Sequence, residues 1–274
     1  MIRAALMQMT SGDDPKANLA TTLALLDEAQ GADLILTPEV TNCVSGSRAR
    51  QEAALSHEAD DPTLAGVRDW AAKAGTPVLI GSLALKAEDD PRFVNRSFLI
   101  GPDGAILARY DKVHMFDADP AAGESYRESA GYRPGGRAVL AQAAGLTVGM
   151  TICYDLRFPA LYRDLAQAGA EVLTVPSAFS RPTGAAHWEV LLRARAIETG
   201  CWVLAPAQTG THPSSTDRVR QTWGHSLAVA PWGEVVLDME EAPGVGFVEI
   251  DPAAVIEARR RVPSLSHDRD WTGP

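Results

Sequence analysis

Cysteine is scarce in this 274-residue chain, which holds three: Cys43, Cys153 and Cys201. An odd count without CxxC spacing argues against a disulfide framework and against a zinc site. No apolar run approaches the roughly 20 residues that a membrane span requires. The apolar start, Met1 to Met9, is too short for a signal segment with its cleavage site and reads as a first strand. Basic residues are outnumbered, 25 Lys and Arg against 35 Asp and Glu, and the resulting charge of -10 argues against a nucleic-acid surface or a polybasic membrane patch. His114, His187, His212 and His225 show no HExxH or paired-ligand spacing, so a metal hydrolase is not expected. Free thiols in a reducing cytoplasm fit what remains.

What is present is apolar material, 46% of the residues, enough for a sizeable core. A β-favouring run from Leu146 to Ile152 stops at Cys153, and a helical pattern begins at Ala160. A cysteine at a strand end, near the free N–H groups of a helix start, has surroundings that favour a thiolate or an oxyanion. Most free cysteines are small buried hydrophobes, so its company matters. Ala32 to Pro38 is another apolar strand, and Glu39 follows it. A carboxylate there is costly to desolvate without a partner or a task. Lys112 follows a third strand-like run from Ile106, although a lone lysine is most often solvated.

Periodicity and breakers predict helices over 18–30, 63–74, 160–167 and 186–198. Strands are predicted over 1–9, 32–39, 77–84, 138–141, 146–152, 171–175, 201–206, 225–230 and 234–238, with a hairpin of 93–100 and 105–108 around Gly101-Pro102-Asp103-Gly104. Residues 40–61 belong to the rim beside Glu39, and 111–137 read as a long irregular functional loop. The tail, 253–274, reads as a short basic helix and an extended arm. An internal echo is also visible. Gly31 and Pro38 return as Gly169 and Pro176, and Ser97, Pro102 and Gly104 return as Ser226, Pro231 and Gly233, at equal internal spacings. Two diverged halves, each a sheet with helices on one side, would stack as an α/β four-layer α-β-β-α sandwich.

The frames Thr37-Pro38-Glu39, Tyr110-Asp111-Lys112-Val113-His114 and Ile152-Cys153-Tyr154-Asp155-Leu156-Arg157-Phe158-Pro159 resemble those around the Glu-Lys-Cys triad of the nitrilase superfamily of carbon-nitrogen hydrolases. Pro176-Ser177-Ala178-Phe179, the run from Thr183 to Thr199, and Trp223-Gly224-His225-Ser226 with Pro231-Trp232-Gly233 are similar to its Nit-type branch. The resemblance covers nearly the whole chain. It implies a single domain over 1–274 with the same four-layer architecture, no cofactor, and a homodimer or higher homo-oligomer using the tail.

The implied chemistry is amide hydrolysis through a thioester on Cys153, with Glu39 as general base and Lys112 holding the oxyanion together with the Tyr154 N–H. Glu128 matches the position of a further glutamate that orients the substrate amide and Lys112. Arg157 is expected to grip a substrate carboxylate, and Phe179 and Thr183 to line the pocket. His187 is expected to be structural and Cys201 to lie in the core. The substrate expected is a small carboxylate-bearing amide, of the deaminated-glutathione type. Amides of the 2-oxoglutaramate or 2-oxosuccinamate type and N-carbamoyl amino acids are the alternatives. A non-catalytic scaffold is the rival from another class, and the three intact residue types argue against it. Gly200-Cys201-Trp202 and Trp223 depart from the family's usual pattern, and the resemblance implies that such changes reshape the acyl side of the pocket without touching the triad.

Overall fold

Alternate residues of the first strand are apolar in both phases, and the fold uses both. Ala4 and Leu6 join a core that also holds Leu36, Leu79 and Leu99, whereas Ala5 and Met7 join Ile35, Val78 and Ile80 in another. A strand with two apolar faces must be covered twice. At roughly 1.5–3 kcal/mol for each large apolar side chain buried, leaving either face open would be prohibitive.

The computed structural model describes residues 1–121 and 124–273. Residues 122 and 123 of the predicted loop and residue 274 of the predicted tail lie outside the described residues. The first half comprises β1 (Ile2–Gln8), α1 (Pro15–Glu28), β2 (Leu34–Leu36), α2 (Arg48–Ala54), α3 (Pro62–Ala74), β3 (Val78–Lys86), β4 (Phe93–Ile100) and β5 (Ile106–Asp111). A ribbon of β6 (Asp117–Ala121) and β7 (Glu124–Arg127) and a single turn, α4 (Glu128–Gly131), come next. The second half comprises β8 (Val139–Ala143), β9 (Leu146–Met150), a 3-10 turn at Cys153–Arg157, α5 (Pro159–Gln167), β10 (Val172–Thr174), α6 (Arg181–Thr199) and β11 (Trp202–Ala205). It continues through β12 (Thr209–Thr211), β13 (Gln221–Trp223), β14 (Leu227–Val229), β15 (Val235–Asp238), β16 (Gly244–Ile250) and α7 (Pro252–Arg261).

One sheet runs β16-β1-β2-β3-β4-β5 and the other β8-β9-β10-β11-β14-β15. Position by position the two orders correspond, and each starts with a strand antiparallel to its neighbour, β16 on β1 and β8 on β9. The sheets stack: Leu6, Leu36 and Leu79 share a core with Val148, Met150 and Leu204. The outer face of the first sheet packs on Leu25 and Leu26 of α1 and on Leu64 and Val67 of α3. Tyr162 and Leu165 of α5 and Trp188 and Leu192 of α6 cover the second. This is the expected α-β-β-α sandwich with its internal repeat.

Some expectations change. The segment 111–137 is not irregular throughout, because it holds the β6–β7 ribbon and α4. Helix α6 begins five residues earlier than predicted: Ser180 precedes it and Pro182 occupies its first turn, where proline is pre-organised. Elements α2, β12, β13 and β16 were not anticipated. The tail does form a basic helix, α7, but the segment after it is held to the chain's own body, with Gln167 Nε2 donating to Leu265 O at 2.8 Å and Arg163 paired with Asp268.

Candidate active site

Glu39 lies just past β2 in a turn fixed by short hydroxyl bonds. The Thr37 and Thr41 hydroxyls are 2.7 Å apart, the Gly81 N–H donates to Thr37 Oγ1 at 3.0 Å, and the Val40 N–H donates to Ser82 Oγ at 2.8 Å. The β3 backbone comes so close that a Cβ on Gly81 would sit 2.0 Å from Thr37 O and 2.6 Å from Pro38 O. Glycine is required there by space alone. Val40 then adopts φ 47°, and Cys153, past the end of β9, adopts φ 48°. Left-handed backbone at a non-glycine residue costs on the order of 1–3 kcal/mol, and here it kinks both strand ends toward one point.

Lys112 directly follows β5, and its N–H donates to Asn95 O on β4 at 2.9 Å. Its ammonium donates to Glu39 Oε1 at 2.9 Å and to both oxygens of Glu128, at 3.0 and 2.9 Å. The second Glu39 oxygen accepts from the Ala178 N–H at 2.7 Å, across from the other half of the chain. Ala178 lines the same cleft as Cys153, and the Glu39 carboxylate is close enough to the Cys153 thiol to influence its ionisation. All three groups are buried, Glu39 at 4% exposure, Lys112 at 2% and Cys153 at 8%. Residues far apart in the chain thus converge at the C-terminal ends of strands β2, β5 and β9, beside a small cleft lined by Phe116, Cys153, Tyr154, Ala178, Phe179, Ser180 and Thr183.

A family model described as carbon-nitrogen hydrolase matches residues 3–260. The chain belongs to the carbon-nitrogen hydrolase family. It is 38% identical over 268 residues to a deaminated glutathione amidase of Yersinia enterocolitica, covering 97% of this chain and 92% of that one. In structure it is similar to the NitFhit protein of C. elegans, with TM-score 0.88 and 34% identity over 98% of this chain, and it spans 65% of that longer protein. It is also similar, at TM-score 0.76 and 27% identity over 95% of this chain and 94% of the other, to a variant amidase of Nesterenkonia with the acetamide moiety of fluoroacetamide added covalently at the active-site cysteine. This member of the nitrilase superfamily is therefore a hydrolase of carbon–nitrogen bonds other than peptide bonds.

Electrostatics in this hydrolase differ from the thiolate environment that the strand end suggests. Burial pushes the Cys153 thiol well above its ordinary range, and the neighbouring Glu39 carboxylate pushes it further than Lys112 can offset. Burial also works against ionised Glu39, but the charge and hydrogen bond of Lys112 overcome it and hold that carboxyl below the usual value. Lys112 is desolvated too, yet Glu128 and Glu39 keep it charged. Both shifts favour a neutral thiol beside an ionised carboxylate. Cys43 is no rival: it is buried, and burial pushes its thiol up to about 12. Cys201 lies in the core, as expected.

Other expected positions fall into place around the cleft. Glu128 Oε2 also accepts from the Phe116 N–H at 2.6 Å, which ties α4 to the ribbon and to Lys112. The Cys153 N–H is consumed by Pro176 O at 3.0 Å, while the Tyr154 N–H has no acceptor among the described residues. Phe179 and Thr183 line the cleft, and the Thr183 hydroxyl meets Ser180 Oγ at 2.7 Å. Arg157 lies at the mouth, its guanidinium 5.6 Å from the Phe179 ring centre and 5.8 Å from that of Tyr154. Its side chain contacts the exposed His187 Nδ1 at 3.3 Å.

Two sets of residues went unnoticed in the sequence. Asn95 is buried, and its amide donates to Glu39 Oε1 at 2.8 Å and toward Glu128 at 3.4 Å, while its Oδ1 has no partner among the described residues. Asp155, fully buried, accepts from Tyr110 Oη at 2.6 Å, from the Ile152 N–H at 2.9 Å and from the His114 N–H at 3.0 Å. That one carboxylate ties the Cys153 turn to the strand and loop that carry Lys112. A polar residue on the inward phase of an apolar strand was the available signal for Asn95.

A roomier groove, about 370 Å³, opens at the opposite strand ends beside Ile2, Asp33, Pro77 and Ala144. Its lining includes one ionisable side chain, Asp33, which already accepts from the Arg3 N–H at 2.8 Å. It carries no acid, base and nucleophile in contact, so the smaller cleft is the candidate active site.

Proposed function

We propose that this enzyme is an amidase that cleaves deaminated glutathione through a thioester on Cys153. The buried cluster of Cys153, Glu39 and Lys112, with Glu39 2.9 Å from Lys112, is the observation that carries the reading. Glu39 takes the thiol proton as sulfur attacks the amide carbonyl, forming the C–S bond and placing negative charge on oxygen. Because the thiol holds its proton tightly and Glu39 is a weak base, transfer accompanies C–S bond formation and does not precede it. Lys112 and the free Tyr154 N–H stabilise the oxyanion. Protonated Glu39 then gives its proton to the leaving nitrogen as the C–N bond breaks. Water, deprotonated by Glu39, hydrolyses the thioester and returns the thiol.

In this reading Glu128 fixes Lys112 and the substrate amide, Phe179 and Thr183 shape the cleft, and Arg157 binds the carboxylate of the 2-oxo acid. The identity to deaminated glutathione amidases over nearly the full length supports the substrate. The enzyme works without a cofactor, in a reducing cytoplasm suited to its three free cysteines, none of which is bonded to another. Among the described residues no helix is long and apolar enough to cross a membrane. A homo-oligomer is part of the proposal, supported by exposed apolar side chains on α6 and around β15, including Val190, Ile197, Trp232 and Val236, and by exposed Trp271 in the tail.

The test is mass spectrometry of the enzyme quenched during turnover of deaminated glutathione. A 2-oxoglutaryl adduct on Cys153 is expected in the wild type and is lost in Cys153→Ala. Turnover by the alanine variant would defeat the mechanism.

A further inference from the structure

We infer that Arg220 forms a second carboxylate subsite, which reads the leaving amine of the substrate and complements the acyl-side Arg157. The inference rests on the amidase reading above. Arg220 directly precedes β13, whose Thr222 forms a bridge with Ser180 and whose Trp223 N–H donates to Phe179 O at 2.9 Å. Phe179 and Ser180 both line the cleft, so this short strand fixes Arg220 at the cleft's edge. The backbone is pinned again where the His212 N–H donates to Arg220 O at 2.9 Å.

The side chain reaches an aromatic ring that adjoins the cleft wall. Its Cζ lies 5.7 Å from the centre of the Tyr126 ring, and that ring lies 5.1 Å from Phe116 in the cleft wall. Its charge is felt at the Tyr132 phenol, which also feels Glu128 and Glu39 from the catalytic cluster. Yet Arg220 Nε is buried without a hydrogen-bond partner, and among the described residues the side chain has no carboxylate within ion-pair distance. Among the described residues its two outer nitrogens are neither bonded nor buried, so the guanidinium is free to meet a carboxylate.

The chain's other inward-turned arginines are not left this way. Arg96 binds Glu58 and Asp111, Arg195 binds Leu156 O and Glu198, and Arg259 binds Thr199 O and Ala170 O. Even Arg50, whose Nε also lacks a hydrogen bond, has Asp13 at 3.8 Å. At the cleft, Arg157 and Arg220 are the two without a carboxylate among the described residues.

The proposed substrate has two carboxylates to offer. Deaminated glutathione is a 2-oxo diacid joined by an amide to cysteinylglycine, so one carboxylate lies on each side of the scissile bond. The acyl arm is short and suits Arg157, which belongs to the same turn as Cys153. The leaving arm is two residues long, roughly 7 Å when extended. It suits the guanidinium set one aromatic ring farther out. A planar fork meeting a carboxylate bidentately is the chemistry that arginine serves best.

Steady-state kinetics on two substrates test the subsite: deaminated glutathione, and 2-oxoglutaramate, whose leaving group is ammonia. Arg220→Met is expected to raise KM for deaminated glutathione by about 10- to 100-fold, as for loss of a charged hydrogen-bonded pair. It should leave kcat/KM for 2-oxoglutaramate within about twofold, a result that also reports a folded enzyme. Arg220→Lys should recover only part of the loss, and Arg157→Met should impair both substrates. Equal losses on both substrates in Arg220→Met, or no loss on either, would overturn the subsite. A wild-type enzyme that cleaves 2-oxoglutaramate but leaves deaminated glutathione intact would sink the parent reading, and the subsite with it.

Discussion

At the end of β2 the chain reads Pro38-Glu39, and at the corresponding end of β10 it reads Pro176-Ser177. Both turns are buried, but Ser177 satisfies its own hydroxyl on Val175 O at 3.0 Å, whereas Glu39 needs Lys112, Asn95 and the Ala178 N–H from outside its turn. The contrast continues farther along, where Asn95 on β4 corresponds, by the Ser97 to Ser226 interval, to Gly224 just before β14. The first half supplies the ionised groups. The second supplies a neutral thiol, backbone amides and most of the cleft wall. The frame is repeated, and in the proposed reaction the chemistry is split between the two copies at a few strand ends.

The strongest challenge to this contrast is to neutralise both turns. Glu39→Gln should lower kcat by about 10³-fold, the usual worth of a positioned general base. Ser177→Ala should change kcat by less than about threefold, at a stability cost of about 1 kcal/mol for the lost hydrogen bond. Comparable kinetic losses in the two variants would show that the turns are not differentiated.

A smaller effect is expected at Asn95, which acts through Glu39. Asn95→Leu should reduce kcat by about tenfold, since it removes a hydrogen bond to a charged group. That bond favours the ionised carboxylate, so its loss should also raise the pKa of Glu39 and move the acid limb of the kcat profile to higher pH. A lower kcat with an unmoved acid limb would reduce Asn95 to a packing residue.

The smallest effect tests a joint between the halves. His212 is buried, with Nδ1 2.7 Å from Ser11 O of the first half and Nε2 2.7 Å from Thr222 Oγ1 of the second. Burial holds its imidazole down, from 6.5 to about 4. A group lowered in the fold contributes stability that is complete above the unfolded value, here 6.5, and is lost as pH falls toward 4, by about 3 kcal/mol in all. Melting curves from pH 7 to 4.5 should therefore show the wild-type Tm falling about 5 °C further than that of His212→Gln. Parallel decline in the two proteins would remove His212 from the acid response.

Much of this was legible before the fold was known, because strand ends announce themselves. An apolar run that stops at Glu39, Lys112 or Cys153 marks a place where chain direction and chemistry change together, and the paired glycine and proline intervals exposed the repeat. Partnerships across the sandwich were harder to see. Gly244-Val245-Gly246-Phe247 carries two glycines and little strand propensity, yet β1 recruits it as β16 from the far end of the chain. The first turn of α6 reads as a loop because Gly184 lies within it, but a Cβ at that position would sit 2.3 Å from Trp223 Cγ, so packing explains the glycine. The protonated state of Cys153 depends on burial and on a carboxylate over a hundred residues away, neither of which has a local signature.

The pairing of β16 with β1 also sets an order of events during synthesis. Strand β1 emerges from the ribosome long before its outer neighbour, residues 244–250. Until then β1 presents an unsatisfied backbone edge, open to other chains. Synthesis through residue 250 is thus needed to seal the sheet that carries Glu39 and Lys112, and chains cut short before Gly244 are expected to aggregate.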